Sequence, residues 1–449
     1  MGNMDVNWKE EYKKKLTTAE EAVKAIKSCN RVVVGHAYGQ PQHLVNALVA
    51  NKDAYKDVEI VHMVSLSPAP YCGQEMHNHF IHNSFFVGVN SREAVNEGRA
   101  KFTPCFFHEL PLLFTNGALP VDVAMCQLSP PDDQGYCSFG ISVDYTKPAV
   151  EAAKISIAQI NEQMPRTLGD AFIHVSELDY IVEYNEPLME LGREKTGTTE
   201  TEKEQYVAKI TAEVDIGRYC GELIEDGACL QLGIGAIPDA VLPFLEEKKD
   251  LGIHTEMFAD GVVDLVKKGV VTCARKNLHP GKIVANFLMG TIKLYNFVHN
   301  NPMVEMHPVH YTNDPFIIGQ NDNVVSINSA LQVDLLGQVA SDTLGSLQFS
   351  GVGGQVDFVR GAAKSKGGKS ILAFPSTAGG GKVSRIVPLL DHGAVVTTSR
   401  YDVHYIVTEF GIADLRGKSV RERAKQLIAI AHPDFRGMLT KELGKIRIL

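Results

Sequence analysis

At 449 residues the chain is too long for one hydrophobic core, since a domain usually holds about 100–200 residues, and two halves are expected. A hydrophobic fraction of 44% with 22% charged residues is ordinary for a globular protein, and 44 Lys and Arg against 53 Asp and Glu give a net charge of −9 with no basic tail. That balance argues against a nucleic-acid partner, which needs concentrated positive charge to neutralise phosphates.

No apolar run approaches the roughly 18 residues of a membrane span. Met1 to Lys15 is too polar for a signal peptide, and Val6 stands where a myristoylation motif needs Ser or Thr. The eight cysteines (Cys29, Cys72, Cys105, Cys126, Cys137, Cys220, Cys229 and Cys273) form no Cys-x-x-Cys pair. They read as reduced, mostly buried thiols of a cytoplasmic protein, without a disulfide frame or a metal site.

Helical and strand patterns alternate from end to end, which predicts an α/β fold with mainly parallel strands. The first helix opens at Thr18, with Glu21 three residues on as in a capping box, and carries Ala22, Val23 and Ile26 on one face. A turn at Cys29-Asn30 leads into the strand Arg31 to Val34. The pattern then recurs: a helical stripe from Val214 to Ile224, a turn at Asp226-Gly227, and the strand Ala228 to Leu232. Each strand is followed by a glycine loop ending in proline, Gly35 to Pro41 and Gly233 to Pro238, and then by helical segments, His43 to Ala50 and Asp239 to Glu246. A second pair of strands, Val123 to Leu128 and Val324 to Asn328, extends the repeat, each with a loop running to a glycine, Gly135 and Gly337. Two similar halves, 1–200 and 201–449, are therefore expected, joined by the polar stretch from Gly192 to Glu204, with the active site between them.

Three segments have the residue types for chemistry. Gly233-Ile234-Gly235-Ala236-Ile237 is either a tight strand-to-helix turn or a place where backbone N–H groups approach a phosphate or carbonyl oxygen. It is not a dinucleotide fingerprint, because its third glycine is missing. Glu256 lies in the apolar segment Gly252 to Phe258, read as one strand, and would sit at the carboxyl edge of the sheet beside that loop. There a carboxylate is placed to attack an acyl group, with loop amides stabilising the oxyanion. Gly351-Val352-Gly353-Gly354 requires a backbone that comes close to another strand or to a ligand. His254, two residues before Glu256, would share its face of the strand, and is either a base or, more simply, a packed histidine. Cys229 and Cys273 lie in apolar strands with no activating partner and read as core.

The chain resembles the acetyl-CoA hydrolase/transferase family of class I CoA-transferases. The resemblance rests on Leu230 to Val241, Gly252 to Met257, Gln348 to Ala362, Val407-Thr408-Glu409-Phe410-Gly411 and Ile430 to Phe435, and covers essentially the whole chain. It implies CoA transfer between a short-chain acyl-CoA, butyryl-CoA or 4-hydroxybutyryl-CoA, and a carboxylate such as acetate. Glu256 is implied as the residue that carries CoA as a thioester. Gly233, Ile234, Gly235, Ala236 and Ile237 are implied as the loop that contacts CoA, Gly354 as a glycine beside the thioester, and Leu331 and Lys382 as further CoA contacts. Ser65-Leu66-Ser67 would help shape the substrate pocket. CoA enters as substrate and covalent intermediate, with no resident cofactor or metal, and a homodimer or homotetramer is implied. Two alternatives remain at this point: an acyl-CoA hydrolase, and a CoA-binding protein of the same fold without the chemistry.

Overall fold

The computed structural model describes residues 7–192, 200–233 and 235–446, with the backbone alone for 200–208. It is an α/β protein that divides into two units, Met1–Glu190 with Val284–Thr312, and Leu191–Ile283 with Asn313–Leu449. The division thus falls near residue 190, not at 200, and the segment 284–312 belongs with the first unit. Its backbone explains why: the Asn286 carbonyl accepts from the amides of Val143 and Asp144, and Leu288 N donates to Ile141 O. Of the stretch expected to join the halves, 193–199 lies outside the described residues, and from Glu200 on the chain is already helical.

The first unit is built on seven parallel strands: β1 (Arg31–Val34), β2 (Val58–His62), β3 (Phe80–Ser84), β4 (Lys101–Phe102), β5 (Val123–Leu128), β6 (Ile155–Ile160) and β7 (Tyr180–Glu183), in the order β7-β6-β5-β1-β2-β3-β4. Runs such as Val32-Val33-Val34 are buried on both faces, as central strands of a parallel sheet must be. The Thr18 hydroxyl caps helix α1 (Ala19–Ala22) by accepting from Glu21 N. Ala22, Val23 and Ile26 then pack into the same core as Leu44 and Leu48 of α2 (Gln42–Ala50).

The second unit opens with the long helix α3 (Glu200–Glu222) and is built on a six-stranded sheet: β8 (Cys229–Leu232), β9 (Gly252–Ile253), β10 (Val324–Asn328), β11 (Lys369–Ala373), β12 (Tyr405–Thr408) and β13 (Gly411–Asp414). Their order is β9-β8-β10-β11-β12-β13, parallel except for the last pair. The strands that repeat in sequence are neighbours in both sheets, with Val32 opposite Val123 in one and Cys229 opposite Val324 in the other. In each unit the chain leaves the first strand of the pair toward one side and returns to add the second on the other. The strand order therefore reverses at β1/β5 and at β8/β10, the positions where open α/β sheets bind ligands at their carboxyl edge. Both glycine loops begin there.

The cysteines are free thiols, five of them buried, although Cys29, in its turn with φ 65°, is exposed. Burial pushes the Cys229 thiol up to about 12, which fits a core residue and not a nucleophile. Cys273, also buried, is raised for the same reason. Among the described residues no helix is long and apolar enough to cross a membrane.

Candidate active site

The segment expected to be one strand from Gly252 to Phe258 is two short ones, β9 and Met257–Phe258, with His254 to Glu256 between them. Thr255 makes the break. Its hydroxyl lies 3.1 Å from the Leu232 carbonyl and 2.9 Å from that of Met257, bracing the bend against the end of β8. Strict alternation of faces needs an unbroken strand, so it does not place His254 beside Glu256. The buried His254 ring instead meets Phe358 edge-on, 6.4 Å between centroids, and its backbone N–H donates to Leu230 O. The packed-histidine reading fits this geometry.

Glu256 sits half-buried at the bend. Asn313 Nδ2 donates to its Oε2 at 2.6 Å, and the same nitrogen lies 3.3 Å from Asp357 Oδ2. Asn313 and Asp357 are both buried. Asp357 belongs to the first turn of helix α6 (Gln355–Lys364), which packs on β10 and β11 and has Gly354 as its N-cap. The helix connects two parallel strands, so it runs back across the sheet and its N-terminus lies at the carboxyl edge. There the α-carbon of Gly354 abuts the Glu256 carboxylate: a methyl group built on it would overlap Oε2 and come within 2.5 Å of Asn313 Nδ2. The close backbone approach that the glycine run required is thus to this carboxylate. It places Glu256 at the positive end of a three-turn helix, an environment that favours negative charge.

Asn313 reaches this position because the short helix after it, α5 (Pro315–Ile318), is capped by Asp314 and lies on α6. Gly361 permits the approach, since a Cβ there would stand 2.5 Å from an Ile318 methyl. Lys364 also covers the Phe316 ring at 4.3 Å.

The glycine loop leaves β8 beside the same bend. Gly233 and Thr255 line one cleft together with Leu232, Pro238, Ile253 and Met257. Gly235 has φ 100° and ψ −174°, a conformation essentially restricted to glycine, and precedes helix α4 (Ala236–Val241). Ala236 is half-buried and Ile237 is buried on α4, whereas Ile234 lies outside the described residues. Leu331 follows the carboxyl end of β10, and Lys382 lies in the chain that follows β11. Leu331 N donates to Ala340 O, and Lys382 is exposed at the tip of the hairpin joining Thr377–Ala378 to Val383–Ser384. In the first unit Ser65 and Ser67 are buried, and Ser65 Oγ donates to Ser67 O at 3.0 Å.

The structure therefore brings Glu256 and Gly354 into contact and sets Gly233 beside Thr255, the residue before Glu256. It also adds two residues that sequence reasoning did not single out. Asp357 lay inside the segment Gln348 to Ala362 without a role. Asn313 carried no signal, because Asn-Asp-Pro reads as a helix start and nothing local links it to a residue 57 positions earlier.

Residues 1–190 match the acetyl-CoA hydrolase/transferase N-terminal domain, and residues 290–443 match the C-terminal domain of the same name. The 4-hydroxybutyrate coenzyme A transferase of Clostridium kluyveri is 60% identical over 440 residues, 98% of this chain and all of that protein. The butyryl-CoA:acetate CoA-transferase of Anaerostipes caccae is 40% identical over 99% of each chain. The crystal structure of RipA from Yersinia pestis superposes with a TM-score of 0.90 at 39% identity, covering 98% of this chain and 100% of that one. Matched over nearly its whole length at such identities, the chain belongs to the acetyl-CoA hydrolase/transferase family.

Proposed function

We propose that this protein is a CoA-transferase that moves CoA between a short-chain acyl-CoA, 4-hydroxybutyryl-CoA or butyryl-CoA, and a carboxylate such as acetate, by way of a glutamyl–CoA thioester on Glu256. The observation that carries the reading is the placement of Glu256: a half-buried carboxylate at the carboxyl edge of the sheet, pressed on a helix N-cap and held by an amide donor.

A hydrated carboxylate is a poor nucleophile, whereas an aligned and partly desolvated one attacks a thioester. Oε1 attacks the acyl carbonyl, an anhydride forms and CoA thiolate leaves. The thiolate then attacks Cδ of Glu256, the bond from Cδ to the bridging oxygen breaks, and the donor's carboxylate departs, leaving glutamyl–CoA. In the tetrahedral intermediate of that second step the negative charge falls on Oε2, the oxygen to which Asn313 already donates at 2.6 Å. An acceptor carboxylate runs both steps in reverse. Each intermediate retains the thioester's bond energy as anhydride or thioester, so the exchange needs no ATP.

Gly233, Ile234, Gly235, Ala236, Ile237, Leu331 and Lys382 are assigned to CoA, and Gly354 to the thioester's side of the carboxylate. The protein is assigned to the cytoplasm as a homodimer or a dimer of dimers, which light scattering checks against the chain mass of 49.1 kDa. Acyl preference follows from initial rates with donors and acceptors of about two to six carbons; CoA release independent of added acetate would make the enzyme a hydrolase.

The direct test is chemical. Acyl-CoA without acceptor should leave a thioester on the peptide holding His254, Thr255 and Glu256. Borohydride should reduce it and inactivate the enzyme, with acceptor carboxylate protecting. Label on another residue, or near-normal turnover by Glu256→Gln, would overturn the reading.

A further inference from the structure

We propose that Asp357 is a positioning residue for Glu256, acting through the side-chain amide of Asn313. The proposal rests on the assignment of Glu256 as nucleophile and adds a residue that does not itself touch the reacting atoms.

An asparagine side chain has two faces, an NH2 that only donates and an oxygen that only accepts. Only one of its two orientations presents a donor to Glu256 Oε2; the other sets oxygen against oxygen. The side chain of Asn313 is wholly buried, so no bulk water compensates a wrong orientation. Asp357 Oδ2 lies 3.3 Å from the Nδ2 atom that donates to Glu256 at 2.6 Å. The amide nitrogen has two protons, and the two carboxylates take one each. Reversing the amide would forfeit both bonds and face its oxygen toward both acids.

A buried acid, 1% exposed, is costly unless it makes such bonds, and Asp357 makes this one from the first turn of α6. Gly354, the N-cap of that helix, bears on the same Glu256 oxygen. One helix end thus sets both what Oε2 packs against and which way its donor points.

The test compares Asp357→Ala, Asp357→Ser, Asn313→Ala and the double variant Asn313→Ala/Asp357→Ala. The readouts are kcat, KM for acyl-CoA, the single-turnover rate of glutamyl–CoA formation, and thermal unfolding. Both Asp357 variants should fold, keep KM within about twofold, and lose about tenfold or more in kcat and in adduct formation, the order expected for a mispositioned group. The double variant should be no slower than Asn313→Ala, because the proposed action of Asp357 on Glu256 runs through the amide. Wild-type adduct rates in both Asp357 variants would overturn the proposal, as would a loss that multiplies with that of Asn313→Ala. Failure of both variants to fold would overturn it equally, by making Asp357 a structural residue. A wild-type enzyme that forms no adduct at all would instead overturn the assignment of Glu256.

Discussion

The α-carbon of Gly354 and the carboxylate of Glu256 are in contact, with no space between them for a methyl group. Backbone conformation does not explain the glycine, because its φ of −90° and ψ of 6° suit other residues. The carboxylate does. Gly354→Ala should therefore fold with a melting temperature within a few degrees of wild type, yet displace Oε2 and crowd the Asn313 amide. A loss of about 100-fold or more in kcat is expected, since attack geometry tolerates displacements of only about 1 Å. Steady-state rates beside a melting curve check it, and normal turnover would show that the contact has no part in the reaction.

The loop glycines separate ligand contact from backbone strain. Among the described residues a Cβ at Gly233 would meet only Pro238, at 3.8 Å, so Gly233→Ala should leave stability unchanged. If the loop backbone lies against CoA, the added methyl should raise KM for acyl-CoA several-fold. At Gly235 a Cβ has open space, but φ 100° makes any side chain cost about 1–3 kcal/mol. Gly235→Ala should therefore lose stability as well as activity. Urea unfolding with KM measurements distinguishes the two; equal stability losses would contradict the backbone account.

Much of the fold was legible because it rests on local signals. The strands Arg31–Val34, Val123–Leu128 and Val324–Asn328 have the bounds expected of them. The recurrence of strand and glycine loop marked the strand pairs at which both sheets reverse their order. What sequence did not convey depends on contacts between distant segments. The bend at Glu256 arises from a hydroxyl bonding to a neighbouring strand. The membership of 284–312 in the first unit arises from backbone bonds to Ile141, Val143 and Asp144. Asn313 became visible only once a short helix packed on α6 carried it to Glu256.

Two buried histidines in the first unit should make the protein acid-sensitive. Burial holds His82 down to about 4, and holds His62, which also feels His82 and His36, well below the ordinary value. Both stay neutral in the folded chain, while the unfolded chain takes up protons below about pH 6.5. Stability is thus fully present above pH 6.5 and is lost as pH falls toward 4, by about 3 kcal/mol from His82 alone. His82→Gln should remove that share of the slope, so that urea midpoints of variant and wild type converge or cross between pH 7 and pH 5. Parallel pH profiles would show that His82 is protonated as readily folded as unfolded.

Shortening Glu256 and enlarging Gly354 act on the same gap, so their effects should not add. Glu256→Asp withdraws the carboxylate by about one methylene, roughly 1.5 Å. That lengthens the 2.6 Å bond from Asn313 and moves the attacking oxygen away from the substrate carbonyl. The single variant should lose at least about 100-fold in kcat while folding normally. The same withdrawal removes the nearest atom that a methyl on Gly354 would meet and leaves the Asn313 amide as the remaining neighbour. In the Glu256→Asp background, Gly354→Ala should consequently cost much less than in wild type, and residual activity should change by no more than a few-fold. Initial rates of the four proteins, with adduct formation as a second readout, close the cycle. Losses that simply multiply would mean that the methyl acts elsewhere, on CoA or on the Asn313 amide, and not on the carboxylate it faces.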